Sequence, residues 1–460
     1  MADSRDALSS DRSPFRPSRL TPLLKPLQAF LSAESAGGIV LLAATAVALL
    51  WANSPWGDSY THFWHQQVLI SAGGFSHAMS FENGVNDGLM ALFFLLVGLE
   101  IKRELLMGEL ASARRAALPV AAALGGMVVP ALIYAGFNYH TTSAVGWGIP
   151  MATDIAFAVG VLALVGRSVP IAVKIFLLAI AIVDDLGAVL VIAIFYTRSI
   201  STVALGIAGG FLAALIVLNL LRIHRPLPYL LIGIGLWAAM LASGVHATIA
   251  GVLLAFTIPA TRRIEEQPYI EHVRELLSDF EHDVRRVPNK ITHDQSHALQ
   301  GVEEASRAVQ TPLARVEHAL LRPVNFVIMP LFALANAGVD LRHGISEAAH
   351  DPAMWGVMFG LLAGKPIGVL LASWSAVKSG IATMPQGATK LHIAGVGILC
   401  GIGFTMSLFV ANLAFPDDAG HLGAAKLGIL VGSILSGVTG ALLIASARKI
   451  KGNDRETIVG

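Results

Sequence analysis

Two adjacent aspartates, Asp184 and Asp185 in the string AIVDDLGA, interrupt an otherwise apolar run from Ile175 to Phe195. An ionised carboxylate at the centre of a membrane helix costs about 2.5 to 3.5 kcal/mol on insertion scales, so two in succession need a compensating partner or a hydrated cavity. A bound proton or a bound cation removes the charge. Na⁺ is a hard cation suited to carboxylate and carbonyl oxygens, by analogy with other hard cations. An oxygen cluster able to hold either Na⁺ or protons would exchange one for the other by competition alone. The plainer alternative is that both aspartates are merely paired with basic residues between helices.

Other polar residues interrupt apolar sequence in the same way. Thr153 and Asp154 lie in GWGIPMATDIAFAVG, where Gly148, Pro150 and Gly160 weaken a continuous helix. Broken helices expose carbonyls and half-helix dipoles at transporter sites. Asp154 can offset the partial positive charge at the N-terminal ends of two half-helices, with Thr153 as an oxygen ligand or hydrogen-bonding group; an ordinary N-cap is the alternative. The stretch GVGILCGIGFTMS, residues 395 to 407, is equally glycine-rich, and two interrupted spans in corresponding halves point to a midplane ion site and an inverted repeat. Lys365, in LLAGKPIGVLL, is another charge that needs an acidic partner or a cavity, and Asp184 is a candidate that would release it on protonation; a snorkelling lysine without mechanistic importance is the alternative. Glu100, Arg103 and Glu104 fall on one helical face, either as an ion-pair network at a helix end or as a gate. His246, in SGVHATIAG, is either a satisfied histidine between helices or a pH sensor.

These residues need a membrane-spanning frame, and the composition supplies one. Of 460 residues, 55% are hydrophobic and 14% charged, where soluble chains carry about a quarter charged. Apolar runs and breakers predict about twelve transmembrane helices: 37–53, 86–104, 117–138, 146–166, 171–196, 200–221, 227–241, 245–258, 312–337, 354–376, 391–413 and 422–446. Of these, 146–166 and 391–413 are discontinuous. The fold class is therefore an all-α polytopic membrane protein with inverted-topology repeats. Lys and Arg are missing from 54–85, 139–145 and 414–421, whereas Arg114, Arg115, Arg167, Lys174, Arg222, Arg225, Lys378 and Lys390 occupy the alternate connections. Arg198 and Arg342 are exceptions. The positive-inside rule then places both termini in the cytoplasm, with residues 1–36 and 447–460 as cytoplasmic tails around a membrane domain at 37–446. A cytoplasmic (inner) bacterial membrane is the expected location.

Two segments lie outside this frame. Residues 66 to 81 have β-rich pieces around Gly73-Gly74, a hairpin signal whose exposed edge could join two subunits or remain a solvated loop. Residues 261–311 form a polar insertion in which Val273, Leu276, Leu277 and Phe280 make an apolar stripe at helical spacing. That stripe suits docking on the protein's own cytoplasmic face or on membrane lipids better than cofactor binding. The net charge of +1 and scattered basic residues give no reason to propose nucleic acid. The single Cys400 excludes an intramolecular disulfide and a cysteine metal cluster.

The strings VNDGLMALFFLLVGLEIKREL, ATDIAFA, AIVDDLGA, SGVHATIAGV, MPLFALANAGV, GKPIG and GIGFTMS together resemble the NhaA-type sodium/proton antiporter family, from about Gly37 to Leu443. The resemblance implies Na⁺ (or Li⁺) export against proton entry, with Asp184 and Asp185 as the ion and proton site and Asp185 the direct ligand. It assigns Thr153 and Asp154 to crossed broken helices and Lys365 to a partnership with Asp184, so that the Na⁺ ligand set is Asp185, Asp184 and Thr153. It further implies two protons inward per sodium outward, a homodimer joined partly through the outer hairpin, and activation at alkaline pH. Residues matching the family's cytoplasmic pH-regulating positions are Glu104, Glu317 and His318; a second histidine of that motif is replaced by Leu321, and the 261–311 insertion has no counterpart. No cofactor is expected.

Two other classes compete with an antiporter. An intramembrane hydrolase would use the aspartates as acid and base, but adjacent helical positions point about 100° apart, poorly placed to share one water. A proton- or sodium-coupled symporter of an organic solute could use the same inverted repeat, although no basic or aromatic cluster near the breaks favours a larger anion.

Overall fold

The structure is a computed structural model that describes residues 36–72, 75–165, 169–197, 200–286, 292–341 and 344–456. The predicted tail before residue 36, the Gly73-Gly74 turn, Arg167, Arg198 and Arg342 lie outside the described residues. The elements are α1 Ala36–Ala52, α2 Gly57–His65, β1 Gln67–Ala72, β2 Phe75–Ser80 and α3 Phe81–Met107, then α4 Ala113–Phe137, the 3₁₀ helix α5 Thr142–Met151 and α6 Ile155–Val165. There follow α7 Ile171–Phe195, α8 Thr202–Leu220, α9 Pro226–Ser243, α10 Ile249–Thr257, α11 Glu266–Arg286, α12 His293–Val309 and α13 Pro312–Asn336. The last are α14 Gly344–His350, α15 Pro352–Lys378, α16 Lys390–Leu399, α17 Phe404–Ala414 and α18 Ala419–Glu456.

Among the described residues, eight helices are long and apolar enough to cross a membrane: α3, α4, α7, α8, α9, α13, α15 and α18. Counting each bent pair as one span raises the number to 11: α1 with α2, α5 with α6, and α16 with α17, bent by 113°, 44° and 42°. This falls below the expected twelve because the segment predicted at 245–258 contributes only the nine-residue α10. Gly244 at φ 80° ends α9, and Ile258 is already extended before Pro259, so α10 is about 14 Å long against a hydrocarbon layer of roughly 30 Å. Lys102 compensates by donating to the carbonyls of Phe256 (2.7 Å) and Ile258 at its C-terminal end. The predicted hairpin forms, with β1 antiparallel to β2 from Gln67 opposite Ser80 to Ala72 opposite Phe75.

Packing divides the helices into two sets. In one, α4 lies against α15, α5 and α7, α18 packs on α15 and α16, α17 packs on α5 and α18, and α6 packs on α7 and α18. The other has α3 against α10 and α13, α8 against α9, and α1 against the second half of α13. Within the first set, α4 and α15 approach backbone to backbone: a Cβ added at Gly368 would stand 2.0 Å from Gly125 O, and one at Gly125 would stand 2.2 Å from Gly368 O. Small residues are what let membrane helices approach this closely. Just before Lys365, α15 widens into a π segment at Gly360–Gly364. Following the chain, the hairpin and the α14 region lie on one face of the bundle, and the insertion α11–α12 on the other. In the insertion, the N–H groups of Arg263 and Ile264 donate to Ala308 O, bringing its two ends together.

Candidate functional site

The two breaks meet inside the first helix set. Between α5 and α6 the chain is non-helical at Ala152–Asp154, with Pro150 depriving the preceding turn of an N–H. Asp154 N–H donates to Ile402 O in the other break at 2.7 Å. Thr153 Oγ1 lies 2.9 Å from Cys400 O, and Ser407 Oγ donates to Ile149 O at 2.8 Å. The glycines around the second break permit this crossing: a Cβ at Gly403 would be 3.1 Å from Ala152 O.

Asp154 joins the N-termini of both half-helices. Its Oδ1 accepts from Phe157 N–H at the start of α6, 3.0 Å away. Its Oδ2 accepts from Thr405 N–H at the start of α17, 3.1 Å away, and from the Thr405 hydroxyl. One carboxylate thus meets the partial positive ends of two helices.

Asp184 and Asp185 sit mid-way along α7, both 0% exposed. Asp184 Oδ2 receives Lys365 Nζ at 2.5 Å and Thr153 Oγ1 at 2.7 Å, and Lys365 Nζ also donates to Thr153 Oγ1 at 2.9 Å. Lys365 is likewise 0% exposed, so a buried ion pair and a hydroxyl form a closed triangle between α7, α15 and the first break. The other oxygen of Asp184 and both oxygens of Asp185 are buried without a hydrogen-bond donor among the described residues. These three carboxylate oxygens, which have no donor among the described residues, are the hard oxygen donors that a small cation or protons would need, and the Thr153 hydroxyl lies beside the Asp184 carboxylate.

The remaining predicted residues divide between the two faces. On the insertion face, Arg103 bridges Glu104 (3.8 Å) and Glu317 (3.3 Å). Glu100, one turn further in, lines a cavity of about 180 Å³ shared with Asp154, Leu321, Asn325 and Met406. His318 is exposed beside Glu317. His246 is not part of either cluster: at the hairpin face its Nε2 lies 3.0 Å from Tyr196 O. Sequence reasoning missed Thr405 and Lys102. The first stood in GIGFTMS directly after the glycines, a polar residue at a helix start, and was readable as a cap; the partner of Lys102 exists only in the folded chain.

A multi-span α-helical bundle with two broken helices crossing beside buried carboxylates defines a membrane protein of the transporter class. The sequence model of the Na⁺/H⁺ antiporter 1 family matches residues 28–444, and the chain belongs to this family. Curated relatives agree: the protein named Na⁺/H⁺ antiporter NhaA from Oleidesulfovibrio alaskensis is 49% identical over 93% of this chain and 95% of its own length. The one so named from Syntrophobacter fumaroxidans is 49% identical over 91% and 89%, and that from Wolinella succinogenes 46% over 92% and 93%.

Proposed function

We propose that this chain exports Na⁺, or Li⁺, in exchange for protons, and that both ions use the carboxylates of Asp184 and Asp185. The observation that carries this reading is Asp185: a fully buried carboxylate with neither oxygen taken by a donor among the described residues, next to a second carboxylate that is half satisfied. Na⁺ arriving from the cytoplasm is held by Asp185, by the other oxygen of Asp184 and by Thr153. Lys365 neutralises Asp184 when no ion does, and lets go when Asp184 binds a proton or Na⁺. Asp154 holds the two half-helix starts at fixed spacing, so that the break carbonyls stay aimed at the site. Protonation of the aspartates displaces Na⁺, and the loaded site changes sides by alternating access.

The finer parts of the reading are an electrogenic exchange of two protons per sodium, a homodimer joined through the β1–β2 hairpin, and a bacterial inner membrane with both termini cytoplasmic. The Arg103–Glu104–Glu317 cluster, with Glu100 and the exposed His318, is the proposed pH-responsive entrance from the cytoplasm. No cofactor enters the mechanism. Family membership favours antiport over symport of an organic solute or hydrolysis. Everted vesicles carrying the chain test the activity: adding Na⁺ or Li⁺ should collapse a preformed acid-inside ΔpH, and K⁺ should not. A Na⁺ response equal to that of vesicles without the protein would reject antiport.

A further inference from the structure

The two helix sets are unequally separated at their junction. On the insertion face, the cavity lined by Glu100 and Asp154 lies between α3 and α13 of one set and α6 and α17 of the other. Towards the hairpin face the same junction is closed. Phe409 of α17 packs on Phe94 of α3 and Phe332 of α13, with ring centroids 5.3 and 6.2 Å apart, and all three rings are buried. Beyond them, Asn412 Nδ2 of α17 donates to Asn336 Oδ1 at 2.5 Å. Asn336 in turn bonds Asn86 through both amides, at 2.8 and 3.2 Å.

Thr405, Phe409 and Asn412 are spaced i, i+4, i+7, and so share one face of α17. That face runs from the Asp154 carboxylate to the hairpin side. An ion leaving in that direction meets Phe409 and then the amide of Asn412. The three asparagines are not equivalent: Asn86 and Asn336 are both in the α3–α13 set, whereas Asn412 belongs to the set that carries the site. Asn412 Oδ1 is buried with no hydrogen-bond donor among the described residues, so its fit here is incomplete, as suits a contact that is remade.

We propose that Phe409 and the Asn412–Asn336 bond form the outer closure of the ion pathway, which parts once in every exchange cycle, while Asn86–Asn336 travels as one unit. Asn412 is thus a positioning residue for transport, acting on access to the site and not on the ion. The proposal rests on the antiport reading above. Two cysteine pairs, bridged by a short bifunctional methanethiosulfonate in proteoliposomes of the full chain, separate the possibilities. The bridged Asn336→Cys/Asn412→Cys protein should lose at least about tenfold in Na⁺-driven proton exchange and recover on reduction, because the bridge ties the two bodies that must separate. The bridged Asn86→Cys/Asn336→Cys protein should keep its reduced rate. Equal rates before and after bridging of the first pair, or equal losses in both pairs, would overturn the proposal.

Asn412→Ala gives an independent reading without any bridge. Loss of one amide bond that favours the outwardly closed form should lower the half-saturating external Na⁺ for reverse exchange by about 3- to 10-fold, with little change in maximal rate. An unchanged value would overturn the role of Asn412. Absence of Na⁺-driven proton movement by the unmodified chain would instead contradict antiport itself.

Discussion

At the scale of single residues, Asp184 and Lys365 form a fully buried ion pair. Removing one member of a buried ion pair typically costs about 3–5 kcal/mol because the other charge is left uncompensated, whereas replacing both can be nearly neutral. Lys365→Ala should therefore lower the thermal midpoint in detergent clearly, and Asp184→Asn combined with Lys365→Gln should recover most of that loss without recovering transport. A double variant no more stable than Lys365→Ala would contradict the pairing. Asp154→Ala removes the acceptor of two backbone N–H groups and a hydroxyl, so destabilisation of about 1–2 kcal/mol per lost cap is expected, measured in the same melting assay. The carboxylates and Lys365 were legible in the sequence because a charge in an apolar run is a local anomaly. The Thr405 partner of Asp154 was not, since it lies 251 residues away along the chain and only the crossing of two breaks joins them.

The elements show the same division between local and tertiary signals. Gly148, Pro150 and the glycines of 395–403 mark the breaks because glycine and proline weaken a helix wherever they stand, and both discontinuous spans occur where those residues predicted. The shortness of α10 was hidden, because residues 245–258 are predominantly apolar and hydropathy cannot show that Gly244 and Pro259 leave only nine helical residues between them. The Gly125–Gly368 contact also went unread, since neither glycine marks a turn. It brings α15, and with it Lys365, against α4. Gly368→Val should reduce the yield of folded protein and lower its melting midpoint, with a strain of at least about 1–3 kcal/mol; wild-type stability would show that the two backbones can separate freely. The insertion α11–α12 is closed on itself by the bonds to Ala308 O. Replacing residues 266–307 with a short glycine–serine linker should leave the maximal exchange rate within about twofold, because joining ends already held together costs little entropy. A shift of the pH profile in that variant would assign regulation to the insertion, and loss of exchange would place it in the transport machinery.

For the whole molecule, two helix sets meet around one carboxylate site. If each cycle moves one net charge, a potential of 100 mV contributes about 2.3 kcal/mol. A K⁺/valinomycin potential, negative on the cytoplasmic side, should then speed Na⁺ extrusion from proteoliposomes, and a rate independent of potential would show electroneutral exchange. That the chain crosses the membrane many times could be read from hydropathy, although the expected twelve spans exceed the 8 to 11 found among the described residues. The grouping of helices into two sets could not, because it depends on which faces pack together. The central claim is that Na⁺ and protons compete for the oxygens of Asp184 and Asp185. The most direct test is proton release from purified protein in weakly buffered solution on adding Na⁺, compared with Asp185→Asn. The account predicts a saturable release from the unmodified chain that disappears in Asp185→Asn while Lys365 and the fold remain intact; equal release from both would contradict it.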